Sequence, residues 1–375
     1  MIRFAPFTLL LAVTAHLVHA EANEPALREL AAPYFQIGAA LEHAHLASPE
    51  GQAQDREGLL LRHFATVTHE NSMKWESLQP REGEFTFEQA DALIAVAERN
   101  NPKLDVVGHT LVWHHQTPKW VFKGADREQL LARMRTHIHT VVGRYRGRVK
   151  GWDVVNEALD GDGELRRKSP WLEIIGPDFI EHAFRFAHEA DPDAELYYND
   201  YGLEGDQKRA GALRIVKRLK DAGLRIDGVG LQGHYGMEIN TRAVEKSILD
   251  FHQAGVQVMF TELDISVLPR AWGNIGADIS ANFEKRAALD PYTNGLPAEV
   301  AQQQARVYGD LFSLFVRHHE KISRVTFWGL KDGLSWLNHW PIKGRTDYPL
   351  LFDRNAQPKP AFHAVAEALK AKGKP

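Results

Sequence analysis

The segment VKGWDVVNEA (149–158) carries the pattern that decides the fold of this chain, an apolar, β-prone run that ends in polar side chains. The segment VQVMFTELDI (256–265) repeats the pattern. A glutamate follows the apolar run in each segment, Glu157 in the first and Glu262 in the second. Strands of a parallel sheet that are buried on both faces have near-continuous apolar sequences. Each glutamate is therefore expected to project from the end of a buried strand.

Six other segments resemble these two and alternate with amphipathic, helix-like stretches. The six strand candidates are residues 36–41, 66–71, 104–113, 195–201, 228–235 and 324–330. The helix-like stretches lie near 54–64, 87–99, 126–144, 177–190, 205–222, 241–254, 297–319 and 358–371. Eight β-then-α units in a chain of 375 residues favour a single (β/α)₈ TIM barrel of the α/β class over an open doubly wound sheet. No G-x-G-x-x-G follows the first strand candidate, which weakens the open, dinucleotide-binding alternative.

The polar residues follow the apolar part of each strand candidate. This places them at the carboxyl ends of the strands, where barrel enzymes form their active sites. The group comprises His69–Asn71, His109–His114, Asn156, Glu157, Asn199–Tyr201, Gln232, His234, Glu262, Asp264 and Trp328. Carboxylates with a purely structural role would be expected on the helices as well, so the one-sided distribution predicts a site at this end of the barrel.

The amino terminus has the features of a secretory signal. Arg3 is followed by a charge-free apolar stretch, and Val18-His19-Ala20 forms an acceptable cleavage site. We expect residues 1–20 to be a signal peptide, residues 21–375 to form one catalytic barrel domain, and the mature protein to be secreted or periplasmic. An uncleaved membrane anchor is the alternative.

Composition excludes several classes of function. The net charge of −4 argues against nucleic acid and anionic membranes as partners. There is no cysteine, so a Cys nucleophile and a thiolate metal site are impossible. The 19 histidines include no H-E-x-x-H, and neither a Walker A sequence nor a G-x-S-x-G elbow is present. We expect no metal and no cofactor.

Glu157 and Glu262 are the minimum equipment for cleaving a glycosidic bond, because that reaction needs an acid and a nucleophile or base. Asn156 could bind a sugar hydroxyl beside the scissile bond. Asp264 and His234 could orient the carboxylate of Glu262 and tune its pKa, although His234 could also be an ordinary buried histidine. The nine tryptophans suit the flat faces of sugar rings. Seven of them lie at or near the predicted strand ends: Trp75, Trp113, Trp120, Trp152, Trp328, Trp336 and Trp340.

In five ordered blocks the chain resembles glycoside hydrolase family 10, the retaining endo-β-1,4-xylanases. The blocks are ENSMKWESLQP (70–80), GHTLVWHHQTPKW (108–120), WDVVNEAL (152–159), FTELDI (260–265) and TFWGLKDGLSWL (326–337), with NDYG (199–202) and LQGHYG (231–236) between them. The resemblance covers about residues 35 to 365.

The resemblance implies a role for each matching position. Glu157 corresponds to the general acid/base and Glu262 to the nucleophile, supported by His234, Asp264 and Asn156. The remaining positions would bind substrate: Glu70, Asn71, Lys74, His109, Trp113, Gln116, Tyr201, Gln232, Trp328 and Trp336. Glu70, Asn71 and Lys74 would hold the −2 sugar, one unit beyond the sugar attacked at −1, and Tyr201 would lie towards the leaving, +1 side. Gly202 and Lys331 depart from the usual pattern.

We therefore expect a monomeric, secreted endo-1,4-β-xylanase that hydrolyses xylan and xylo-oligosaccharides by double displacement with retention. We also expect the charge of Glu262 to keep Glu157 protonated. Another barrel β-glycanase, such as a cellulase or mannanase, and a non-catalytic carbohydrate-binding barrel are the alternatives. The long connection from Ser266 to about Leu296 is expected either to wall the substrate groove, with Trp272 and Tyr292 as stacking faces, or to form a surface loop with a small cluster of its own.

Overall fold

The computed structural model describes residues 26–46, 53–269 and 280–371, and in it the chain forms a closed parallel barrel. The strands are β1 Gln36–Leu41, β2 Thr66–His69, β3 Asp105–Val112, β4 Gly151–Asn156, β5 Glu195–Asp200, β6 Gly228–Leu231, β7 His234–Tyr235, β8 Gln257–Ile265 and β9 Ile322–Phe327. Neighbours follow the order β6-β5-β4-β3-β2-β1-β9-β8, and the parallel pairing of β6 with β8 closes the ring. The predicted (β/α)₈ barrel is confirmed.

Helices surround the barrel and connect its strands. The longer ones are Ala53–His63, Glu88–Arg99, Arg127–Arg144, Phe179–Ala190, Asp206–Asp221, Thr241–Gln253, Ala298–Arg317 and Pro360–Lys370. Short helices span Leu27–Ala31, His43–Leu46, Trp75–Leu78, Lys119–Phe122 and Pro170–Ile175, and single 3₁₀ turns span Ala287–Leu289, His319–Lys321, Asp332–Leu334 and Trp336–Asn338. Each long helix corresponds to one of the predicted helix-like stretches.

The segment predicted as one strand over 228–235 is two strands. Gly233 has a φ of +81°, in the left-handed region that favours glycine, so the extended backbone is interrupted after Leu231. Beyond this break β7 pairs with β8, so that His234 lies opposite Asp264. The break therefore brings His234 to the strand that carries Glu262.

Trp152, in β4, is fully buried, and Gly108 in β3 makes room for it. A Cβ atom at Gly108 would lie 2.1 Å from Cε3 of the Trp152 ring, so the strand can approach only without a side chain here. Val107, Tyr197 and Met259 form a separate cluster from β3, β5 and β8. These are alternate strands of the barrel, as in the layered interior that is typical of this fold.

The predicted signal peptide, residues 1–20, lies outside the described residues. In the ranges 26–46, 53–269 and 280–371, no helix combines the length and apolar character needed to cross a membrane.

Candidate active site

One cleft at the carboxyl ends of the strands contains every residue to which the family resemblance assigned a role. Its volume is about 1330 Å³, which exceeds the ~300–1,000 Å³ typical of pockets for drug-sized ligands. It is lined by Glu157, Glu262, His234, Asp264, Asn156, Glu70, Asn71, Lys74, His109, Trp113, Gln116, Tyr201, Gln232, Trp328 and Trp336. The cleft is therefore large enough for a ligand longer than one sugar.

Glu262 is buried on β8 and is held as an anion. Its Oε1 accepts a hydrogen bond from Asn199 Nδ2 at 2.8 Å, and its Oε2 lies 3.0 Å from His234 Nε2. The other ring nitrogen of His234 lies 3.0 Å from Asp264 Oδ2. Burial lowers the pKa of His234, but Asp264 and Glu262 outweigh burial and raise it to about 10, so the ring is an imidazolium that donates to both carboxylates. Burial raises the pKa of Glu262, yet the His234 and Asn199 hydrogen bonds and nearby histidine charges bring it below its ordinary value.

Glu157 is also buried, but its pKa is shifted in the opposite direction. Its Oε1 accepts from Gln232 Nε2 at 2.9 Å and its Oε2 from Trp113 Nε1 at 3.0 Å. Burial raises the pKa of Glu157 most, and the charge of Asp200 raises it further, ahead of the charge of Glu262. We expected the charge of Glu262 to keep Glu157 protonated, but this charge contributes less to the raised pKa than burial and Asp200 do. The pKa values of the two carboxyls are therefore moved apart by their surroundings, upward for Glu157 and downward for Glu262.

A shared amide network connects the two glutamates. Asn156 Oδ1 accepts from Asn199 Nδ2 at 3.0 Å and from Gln232 Nε2 at 3.4 Å. Asn199 Oδ1 in turn accepts from Thr261 Oγ1 at 2.6 Å. Because the amide groups of Asn199 and Gln232 also bind the glutamates, the network fixes both carboxyls relative to each other.

Aromatic rings cover the cleft near these carboxyls. Trp328 packs edge-to-face against His109, with 5.3 Å between ring centroids, and His109 Nδ1 lies 2.9 Å from Asp153 Oδ2. Trp336 donates from Nε1 to Asp264 Oδ2 at 2.8 Å. The carboxylate that orients His234 therefore also anchors one wall of the cleft.

A second polar group lies in the same cleft, beside the ring of Trp113, where the −2 sugar was predicted to bind. Lys74 Nζ donates to Asn71 Oδ1 at 2.9 Å and to Gln116 Oε1 at 2.8 Å, and it lies 5.0 Å from the ring centroid of Trp113. Burial lowers the pKa of Lys74 and raises that of Glu70. Asn71, Lys74 and Gln116 thus hold one another in place from separate segments of the chain. They form a preorganised polar patch.

Sequence reasoning missed Lys208, which itself lines the cleft, and several residues behind the lining. Glu42 accepts hydrogen bonds from the backbone N–H groups of Asn71 and Ser72 and so supports the loop that carries Asn71. Lys208 lies 3.4 Å from the ring centroid of Tyr201. Its Nζ also lies 2.6 Å from Asp200 Oδ1. In the sequence, only its position at the polar end of a predicted strand pointed to a role for Asp200. Nothing in the sequence pointed to a role for Lys208, because it lies in a helix.

The two positions that depart from the family pattern differ in location. Gly202 lines the cleft with a φ of +65°. Lys331 does not line the cleft, and its Nζ donates to the carbonyl oxygen of Arg354 at 2.9 Å. Lys331 therefore contributes to packing away from the cleft. Of the two positions, only Gly202 affects the shape of the cleft.

The two described parts of the long connection after β8, residues 266–269 and 280–296, differ in location. Ser266, Leu268, Pro269 and Ser280 line the cleft. Tyr292 instead packs beside a small cluster that includes Leu268 and Tyr348, and its carbonyl oxygen accepts from Tyr348 Oη at 2.8 Å. Tyr292 is therefore not among the residues that line the cleft, and the alternative of a small cluster describes this part. Trp272 lies outside the described residues.

No group of three or more histidine, aspartate or glutamate side chains in the part of the chain that the structure describes could hold a metal ion. The site therefore combines two buried carboxyls whose pKa values are shifted in opposite directions, flanked by aromatic rings at the carboxyl ends of the barrel strands. That is the arrangement used by glycoside hydrolases.

Residues 26–368 match Glycosyl hydrolase family 10, and the chain belongs to this family. It is 45% identical to Endo-1,4-beta-xylanase A of Xylanibacter ruminicola, over 92% of this chain and 93% of that protein. A GH10 endoxylanase retrieved from a sugarcane soil metagenome is 43% identical with a TM-score of 0.87, over 91% of this chain and 99% of the other. TsXylA, described as an intracellular xylanase of Thermoanaerobacterium saccharolyticum and solved as a variant with xylotriose, is 37% identical with a TM-score of 0.78, over 92% of this chain and 98% of the other.

Proposed function

We propose that the protein is an endo-1,4-β-xylanase that works by double displacement with retention of configuration. The observation that carries the proposal is the opposite tuning of two buried carboxyls, with the pKa of Glu262 lowered and that of Glu157 raised. A nucleophile has to be ionised and an acid protonated at the same working pH. The amide network holds both glutamates in place, so Glu262 can act as the nucleophile and Glu157 as the acid without a rearrangement of their side chains.

In the first step, a carboxylate oxygen of Glu262 attacks the anomeric carbon while the bond to the leaving sugar breaks. Glu157 gives its proton to the departing glycosidic oxygen. In the second step, Glu157 removes a proton from water, the water oxygen bonds to the anomeric carbon, and Glu262 leaves as a carboxylate. Two inversions give net retention, which requires the carboxyls to lie ~5–5.5 Å apart.

The variant Glu157→Ala tests this mechanism. It should lower xylan turnover by ~10²–10⁴-fold, because a sugar leaving group needs the proton. The first step on an aryl xylobioside with an acidic phenol should be spared, and azide should restore the second step with a β-configured product. Glu173→Ala is the matched control, since Glu173 is an exposed acid that does not line the cleft. Equal losses on both substrates, with no effect of azide, would exclude Glu157 as the acid/base.

The close contacts of the polar patch around Lys74 support xylan as the substrate class. Asn71, Lys74 and Gln116 bond one another directly and leave little freedom to admit the hydroxymethyl group that distinguishes glucose from xylose. One such group changes specificity by ~1–3 kcal/mol, or roughly 10–200-fold. The kcat/KM on xylo-oligosaccharides should exceed that on cello-oligosaccharides of equal length by such a factor. The reverse ranking would favour a cellulase.

We also propose that the protein is exported and that residues 1–20 are removed. The support is the charged start, apolar stretch and small-residue cleavage site of residues 1–20. Expression of the full chain in a host that exports proteins, followed by mass spectrometry of the mature amino terminus, tests this. A terminus at Glu21 is expected, and an intact Met1 on cytoplasmic protein would contradict it.

A further inference from the structure

Arg166 binds the backbone of the acid/base residue, and nothing in its spacing along the sequence assigns it a function. Its Nε donates to the carbonyl oxygen of Glu157 at 3.0 Å, and its Nη2 donates to the carbonyl oxygen of Leu159 at 2.8 Å. The same Nη2 lies 3.3 Å from Tyr201 Oη. The side chain is only 13% exposed, so these contacts occur largely away from solvent.

The chain folds back to bring Arg166 to this position. Leu159 and Leu165 form an antiparallel bridge, and the backbone N–H of Arg166 donates to the carbonyl oxygen of Ala158 at 2.8 Å. Asp160 Oδ1 accepts from Arg166 Nη1 at 3.3 Å, so the guanidinium is held from inside the same turn. The turn and the charge pair together fix the direction of the side chain.

The backbone of Glu157 needs this support. Its φ is +55°, in the left-handed region that costs a non-glycine residue ~1–3 kcal/mol and persists only where surrounding contacts determine it. The carboxyl of Glu157 is held by Gln232 and Trp113, which lie outside the turn. Arg166 supplies one hydrogen bond, from Nε, to the carbonyl oxygen of the same residue.

Tyr201 connects this support to the wall of the cleft. The residue lines the cleft, and Lys208 covers its ring. Its hydroxyl accepts from Arg166 and still has a proton to donate to a sugar. One guanidinium therefore contacts both the backbone of the acid and the wall expected to face the leaving sugar.

We propose that Arg166 is a positioning residue that fixes Glu157 relative to Tyr201, so that the acid stays aimed at the oxygen of a leaving sugar. The proposal rests on the proposed function, in which Glu157 protonates that oxygen. An error of ~1 Å in such an alignment can lower a rate by about 10²-fold. The loss should be confined to substrates whose departure needs the proton.

The test compares Arg166→Met with wild type on aryl β-xylobiosides whose phenols range from strongly to weakly acidic, and on xylotetraose. We expect kcat/KM to fall by ~10–100-fold on xylotetraose and by less than about threefold on the 2,4-dinitrophenyl substrate, because only the former needs full protonation. Arg166→Lys should recover part of the loss. Arg167→Met is the matched control, since Arg167 pairs with Asp160 and Asp162, and its side chain is 63% exposed.

Tyr201→Phe completes the design. If Arg166 aligns the two residues, the loss caused by Arg166→Met on xylotetraose should be smaller in the Tyr201→Phe background than in wild type. Equal losses on every leaving group, or an effect unchanged by Tyr201→Phe, would assign Arg166 a structural role only and overturn the proposal. Thermal melting identifies unfolding, and if Arg166→Met does not fold, the comparison of Arg166→Lys with wild type decides. Failure of the proposed function would be distinguishable, because the wild-type enzyme would then not cleave xylotetraose.

Discussion

Replacing Trp113 by phenylalanine should raise the pKa of Glu157 and move the alkaline limb of the pH–rate profile. The substitution keeps an aromatic ring beside Lys74 but removes the Nε1–H that donates to Glu157 Oε2 at 3.0 Å. That hydrogen bond favours the carboxylate, so it lowers the pKa of Glu157 against the larger effect of burial. Without it, the acid should keep its proton to a higher pH.

The size of the shift follows from the difference between two hydrogen bonds. A bond to a charged group is worth ~1.5–3 kcal/mol and one between neutral groups ~0.5–1.5 kcal/mol, so the carboxylate loses about 1 kcal/mol more than the acid. At 1.36 kcal/mol per pKa unit, the shift is roughly 0.7 unit upward.

The assay is kcat/KM on xylotetraose as a function of pH, because this ratio reports the free enzyme and the substrate has a leaving group that needs protonation. Trp120→Phe is the matched control. Trp120 Nε1 lies 3.4 Å from the carbonyl oxygen of Gln79, and the residue does not line the cleft. An alkaline limb that stays in place, or moves to lower pH, in Trp113→Phe would refute the assignment of Glu157 as the proton donor.

Two further predictions concern the nucleophile and the core. Asp264→Asn removes the charge that helps raise the pKa of His234 to about 10. Because the imidazolium then stabilises the Glu262 anion less, the pKa of Glu262 should rise and the acid limb of kcat/KM should move to higher pH. A pH profile on xylotetraose measures this shift. Gly108→Ala places a Cβ 2.1 Å from the buried Trp152 ring and should destabilise the fold by ~1–3 kcal/mol or more. The measurement is the Tm, which should fall. An unchanged Tm would mean that β3 and β4 can separate at no cost in free energy.

The barrel could be predicted from sequence because each unit carries its own signal. The predicted β1 at 36–41 coincides with Gln36–Leu41, and the helix predicted at 241–254 with Thr241–Gln253. Long amphipathic or apolar runs determine such elements locally. The break between β6 and β7 was missed because the segment 228–235 contains three glycines, and the sequence does not reveal that only Gly233 adopts a positive φ.

The lining of the cleft could also be predicted, since carboxyl ends of barrel strands meet at one face. The residues that hold the lining in place could not. Arg166 reaches Glu157 only because the bridge between Leu159 and Leu165 folds the chain back, and Lys208 reaches Tyr201 from a helix. Such contacts depend on tertiary packing and have no fixed spacing in the sequence.

Asp200 changes how the acid/base cycle of the proposed mechanism is expected to work. Its carboxylate, 2.6 Å from Lys208 Nζ, raises the pKa of Glu157 more than Glu262 does, although less than burial. In the glycosyl-enzyme the charge of Glu262 is lost to the ester bond, while Asp200 is unchanged. Only the smaller contribution of Glu262 therefore disappears when Glu157 turns from acid to base. Glu157 should keep a raised pKa in the second step, and a carboxylate with a raised pKa is the stronger base for removing a proton from water.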